Sequence, residues 1–114
     1  MTSPSKFAHV VYNTHRYDEM ISWYELVFGA RVVHGDDKIT FMTYDDEHHR
    51  FAFINLGPLP DPPPTPKMGQ GHGINHVAYT WVGLDQFVEL YARLKSHDIV
   101  PVRPIRHGPT LSMY

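Results

Sequence analysis

Residues 7–33 read FAHVVYNTHRYDEMISWYELVFGARVV, and this stretch decides the fold. Phe7 to Tyr12 is a short β-branched and aromatic run, which reads as a strand. From Arg16 to Phe28 the period changes. Tyr17, Met20, Ile21, Tyr24, Val27 and Phe28 recur at helical spacing and make one apolar face. Asp18 and Glu19 fall in the first turn, where the helix dipole favours anions, and Gly29 supplies a left-handed stop. Ala30 to His34 reads as a strand, Gly35-Asp36-Asp37 as a turn, and Lys38 to Tyr44 and Arg50 to Leu56 as two more strands. The order is βαβββ.

The pattern then breaks and begins again. Six of the ten prolines lie between Pro58 and Pro66, followed by Gly69, Gly71 and Gly73, so residues 57–73 read as a linker or long surface loop. Ile74 to Val82 reads as a strand, and Leu84 to His97 as a second amphipathic helix with Phe87, Leu90, Tyr91 and Leu94 on one face. Ile99 to Val102 reads as a short strand interrupted by Pro101 and Pro104, and a last strand starts near Thr110. A shift of 67 residues lays His9 on His76, Val10 on Val77, Tyr12 on Tyr79, Asp18 on Asp85, Tyr24 on Tyr91 and Val33 on Val100. An internal repeat of this kind means two copies of one supersecondary unit. The first copy is complete, and the second reaches only βαββ.

Composition bounds the function. A chain of 114 residues with 42% apolar residues and a mean hydropathy of −0.34 makes one soluble domain. A net charge of −2 argues against nucleic acid or an acidic membrane surface as partner. No apolar run is long enough for a membrane span, and Met1 to Lys6 carries no secretory apolar region, so the expected location is cytoplasmic. The absence of cysteine excludes disulfides, zinc–thiolate sites and a thiol nucleophile. Nine histidines are unusual in so short a chain. His9 and His76 stand at equivalent places in the repeat. If the copies pack about a pseudo-two-fold axis, two rings on otherwise apolar strand faces approach each other. A polar ring on such a face needs a partner, and a symmetric pair suggests a shared metal. The competing reading is two satisfied core histidines; the repeat favours the metal. His15, His34, His72 and His97 fall at turns or element ends and read as solvated. Asp36-Asp37 and Asp45-Asp46-Glu47 read as solvated hairpin turns rather than as a second metal site. On a strand, His48 and His49 would point to opposite faces.

Residues 7–33 resemble the opening module of the vicinal oxygen chelate superfamily, and Ile74 to Trp81 (INHVAYTW) resembles the start of its second module. Asp45 to Gly57 (DDEHHRFAFINLG) is similar to the single-domain extradiol ring-cleavage dioxygenases, related to dihydroxybiphenyl and catechol 2,3-dioxygenases. The resemblance implies an α+β fold of two tandem βαβββ modules, about 6–56 and 74–114, forming a curved mixed sheet around a metal cleft, the second lacking its last strand. It implies Fe(II), with Mn(II) as the other candidate ion, held by His9, His76 and a Glu. It places the catalytic histidine at His49, a second active-site histidine at His107 and an active-site tyrosine at Tyr114. The substrates implied are O2 and a catechol such as a 2,3-dihydroxybiphenyl-like diol.

Departures from the family pattern also matter. Asn75 stands where many relatives carry His. The ligand Glu is expected about ten residues beyond Tyr114, so residues 1–114 alone should hold iron poorly unless a neighbouring chain donates a carboxylate. An uncovered sheet edge in the short module invites pairing, and a homodimer or larger homo-oligomer is expected. Glyoxalases of this superfamily carry a carboxylate on the last strand of the first module, and Arg50 to Leu56 has none. Metal-dependent thiol transferases share the ligand set, and metal-free antibiotic-binding members would use an aromatic cleft; these are the alternatives.

Overall fold

The computed structural model describes residues 1–65, 73–107 and 110–113. They divide into two compact units, Met1–Gly73 and Ile74–Tyr114.

The first unit runs β1 (Val10–Thr14), α1 (Tyr17–Phe28), β2 (Arg31–Gly35), β3 (Ile39–Thr43) and β4 (Phe51–Asn55). Its strands form one mixed sheet in the order β1-β4-β3-β2. β1 pairs with β4 in parallel, Val10 opposite Phe51 and Tyr12 opposite Phe53, while β4–β3 and β3–β2 are antiparallel. Side chains alternate along each strand, so one face meets α1 and the other does not. The α1 face holds the core. Tyr24 packs edge-on against Phe51 at 4.5 Å and Phe53 at 4.8 Å, and Phe53 stacks on Tyr12 at 6.0 Å. Phe51, Phe53 and Met42 are almost fully buried. Burying such aromatic side chains is worth about 1.5–3 kcal/mol each, so this cluster dominates the stability of the unit.

Helix α1 ends where the sequence indicated. Gly29 adopts φ 61°, and its N–H donates to the Tyr24 carbonyl. A residue with a Cβ is strained there, which is the reason for glycine. The Asp36 carboxylate accepts the N–H groups of Lys38 and Ile39 and closes the β2–β3 turn. These bonds hold the Asp36 carboxyl below its ordinary range.

The strand expected from Phe7 instead starts at Val10, whose N–H donates to the Arg50 carbonyl at 3.0 Å. The carbonyls of Phe7 and Ala8 are occupied by the Arg50 guanidinium, so they do not enter a ladder.

The second unit contains α2 (Gly83–Lys95) and a hairpin of β5 (Pro104–His107) with β6 (Thr110–Met113). Leu90 is buried on α2, on the face expected from the sequence. Two expectations fail here. Ile74 to Val82 forms no strand, because a period-2 pattern needs a neighbour to pair with and no described strand pairs with this segment. Ile99 to Val102 forms none either. Pro101 cannot donate to a ladder, and the strand begins only at Pro104.

Candidate functional site

In the first unit, Val11, Ala52 and Phe41 form a cross-strand row on the face away from α1, since their registers alternate with those of the core residues. His9 immediately precedes β1, and His49 stands two residues before β4. Because β1 and β4 are parallel neighbours, these two entries lie side by side. The His9 and His49 rings are 4.2 Å apart, tilted by 35°. Phe41 meets His49 edge-on at 4.9 Å and borders His34 at 6.3 Å.

His48 does not turn away from His49. Residues 44–50 form a bend rather than a strand, so strict alternation does not apply. The His48 ring also borders Phe41, at 6.4 Å, and its Nδ1 lies 2.8 Å from Nδ1 of His49. One of the two nitrogens must donate and the other accept. Burial, then the His9 and His48 rings, lower the pKa of His49 below the usual imidazole value.

The acids of this bend are not simply solvated. Arg50 Nε donates to both carboxylate oxygens of Asp45, and Nη2 donates to Oδ2 at 2.8 Å. Asp45 Oδ1 also accepts the Glu47 N–H and the Thr43 hydroxyl. The Arg50 bond, assisted by those from Glu47 and Thr43, holds the Asp45 pKa at about 2. Arg50 is pushed up by the same contact. Glu47 pairs with Lys6, which lowers the carboxyl and raises the ammonium. Arg50 and Lys6 were missed in the sequence. The available signal was the acid–His–His–Arg order of residues 47–50, in which charges bracket the histidine pair.

In the second unit, His76 Nδ1 lies 2.8 Å from Asn75 Oδ1. An amide oxygen can only accept, so Nδ1 carries the proton and a neutral ring has its lone pair on Nε2. Metal-binding histidines typically donate their other ring N–H in this way. His107 pairs with Thr110 in the β5–β6 ladder. Tyr114 and His72 lie outside the described residues. Among the described residues, no three His, Cys, Asp or Glu side chains gather into a metal-binding group. The donor chemistry nonetheless suits Fe(II): imidazole nitrogen is a good iron ligand, and His9 and His76 both offer it.

The sequence profile of the Glyoxalase/Bleomycin resistance protein/Dioxygenase superfamily matches residues 6–114, and the chain belongs to that superfamily. Within it, the chain is 41% identical over 114 residues to biphenyl-2,3-diol 1,2-dioxygenase 2 of Rhodococcus globerulus and 35% identical over 116 residues to biphenyl-2,3-diol 1,2-dioxygenase 3 of the same organism. Both alignments cover all of this chain and 58% of the relative, so the chain spans under two thirds of the length of these curated relatives. These names support the extradiol dioxygenase branch. The crystal structure of lactoylglutathione lyase from Agrobacterium tumefaciens matches with a TM-score of 0.66 at 15% identity, covering 97% of this chain and 86% of that one. At that identity the likeness shows the α+β fold alone. No described helix is long and apolar enough to cross a membrane.

Proposed function

We propose that this chain carries the metal-binding and catalytic histidines of an Fe(II)-dependent extradiol ring-cleavage dioxygenase acting on a 2,3-dihydroxybiphenyl-like catechol, with O2 as co-substrate. The observation that carries the reading is the 41% identity to a biphenyl-2,3-diol 1,2-dioxygenase along the whole chain. The pairing of His9 with His49 supports it.

In this reading His9 and His76 are the imidazole ligands, and Mn(II) is the other candidate ion. The bound ion would supply chelation of the diol and activation of O2. His49 takes the second phenolic proton and later returns it. For Nε2 of His49 to accept, its own proton must sit on Nδ1 and be donated to His48 Nδ1, which the 2.8 Å contact allows. Phe41 shields one side of the His49 ring from water. His107 and Tyr114 hydrogen-bond the substrate oxygens. The working form is a homodimer or larger homo-oligomer.

The test is a set of variants in the full-length protein. His9→Ala and His76→Ala should each lose iron while keeping the circular dichroism of the parent. His49→Phe should keep iron and lose ring cleavage by about 10²–10⁴-fold, as expected for an acid–base group. Unchanged iron content in His9→Ala or His76→Ala, or an undiminished rate in His49→Phe, refutes these roles.

A further inference from the structure

The guanidinium of Arg50 serves two partners at once. Nε and Nη2 hold the Asp45 carboxylate, while Nη1 donates to the carbonyls of Phe7 and Ala8. The side chain is only 14% exposed. Its Cζ also lies 5.9 Å from the centre of the Tyr44 ring. The Lys6–Glu47 pair makes a second tie between the same two segments. These segments are the ones that carry the site: His9 directly follows the two bound carbonyls, and His49 directly precedes Arg50.

We propose that Arg50 is a positioning residue that fixes His9 against His49, so that a metal ligand and a proton carrier arrive in one arrangement. The chemical meaning of that pair rests on the function proposed above; the clamp itself rests on the hydrogen bonds.

The fork shape explains why arginine stands here. A planar guanidinium presents separate N–H edges, one to a carboxylate and another to backbone carbonyls. An ammonium is a point charge on a flexible stem and cannot hold both in fixed directions. Phe7 and Ala8 precede the β1 ladder and have no strand bonds of their own. Without the clamp, the backbone on the N-terminal side of His9 would keep the exposed Lys6 side chain as its tie to the bend, while the bond from the Val10 N–H to the Arg50 carbonyl would hold only the other side of His9. Groups that orient a metal ligand typically change metal affinity 10–100-fold when removed.

The experiment uses the full-length protein with Arg50→Lys, Asp45→Asn and, as control, Arg16→Ala, which removes the exposed Arg16–Glu19 pair on α1. In metal-free protein, the nuclear Overhauser effect between the His9 and His49 ring protons reports their proximity. Co(II), titrated by its visible absorption, reports metal affinity. Arg50→Lys should keep the parental circular dichroism, lose most of the ring–ring effect and bind Co(II) about 10-fold more weakly or worse. Asp45→Asn should move both readouts in the same direction by less, and Arg16→Ala should move neither. A ring–ring effect and Co(II) affinity retained in both Arg50→Lys and Asp45→Asn overturn the proposal. Should Arg50→Lys fail to fold, Asp45→Asn decides by the same two readouts. A parent protein that binds no Co(II) contradicts the metal reading, while the ring–ring effect still judges the clamp.

Discussion

Replacing Phe53 by Ala tests whether the aromatic cluster under α1 holds the first unit together. Phe53 has no exposed surface, stacks on Tyr12 at 6.0 Å and meets Tyr24 edge-on at 4.8 Å. Truncation to Ala removes the ring's burial, about 1.5–3 kcal/mol, and leaves a cavity whose walls are themselves rings that cannot collapse freely. Each lost aromatic pair adds about 0.5–1.5 kcal/mol. The expected cost is about 4 kcal/mol, within the usual range for buried Phe→Ala changes. Domains of this size are stable by about 5–15 kcal/mol, so the loss is a large fraction of the whole. Trp23, 43% exposed on α1, provides the comparison, and Trp23→Ala should cost under about 1 kcal/mol. Urea unfolding followed by circular dichroism measures both. A cost for Phe53→Ala no larger than that for Trp23→Ala would refute the packing argument.

Acid should weaken the bend that carries the histidine pair. Asp45 has its pKa lowered from 3.8 to about 2 in the folded chain, so its contribution is present above the unfolded value and is lost as pH falls from about 4 to about 2. The shift sets a ceiling of about 2 kcal/mol; with a third of the side chain exposed, solvent screening reduces this to about 1 kcal/mol. Stability measured between pH 5 and 2 should fall less steeply in Asp45→Asn than in the parent, and equal slopes would remove this role from Asp45. Gly29→Ala should cost about 1 kcal/mol in thermal unfolding, purely from the left-handed backbone, since nothing lies within 4 Å of the added Cβ. Gly29→Asn should cost less, and equal losses for the two would argue against backbone strain as the cause.

The first module was legible because its signals agree. Helical periodicity, acids in the first turn and a glycine stop coincide over residues 17–29, and apolar strands flank them. The second module was less so, since strand character at Ile74–Val82 depends on a pairing partner that no local pattern encodes. The site divides along the same line. His9 and His76 stood out through the repeat, and His49 through its resemblance to a dioxygenase motif. The expected placement of His48 fails because side-chain alternation holds only in strands, and residues 44–50 form a bend. Arg50 was invisible for a different reason. In the sequence it reads as the first residue of the strand Arg50 to Leu56, and only three-dimensional contacts join it to the carbonyls of Phe7 and Ala8, more than 40 positions away in sequence.

Extradiol cleavage is the chemistry proposed for these histidines. It is tested most directly by loading the full-length protein with Fe(II) under anaerobic conditions, then adding 2,3-dihydroxybiphenyl and air. One O2 should be taken up per diol and the yellow ring-opened product should appear, both abolished in His9→Ala. Stoichiometric iron with neither O2 uptake nor yellow product, for this diol and for simpler catechols, would contradict it.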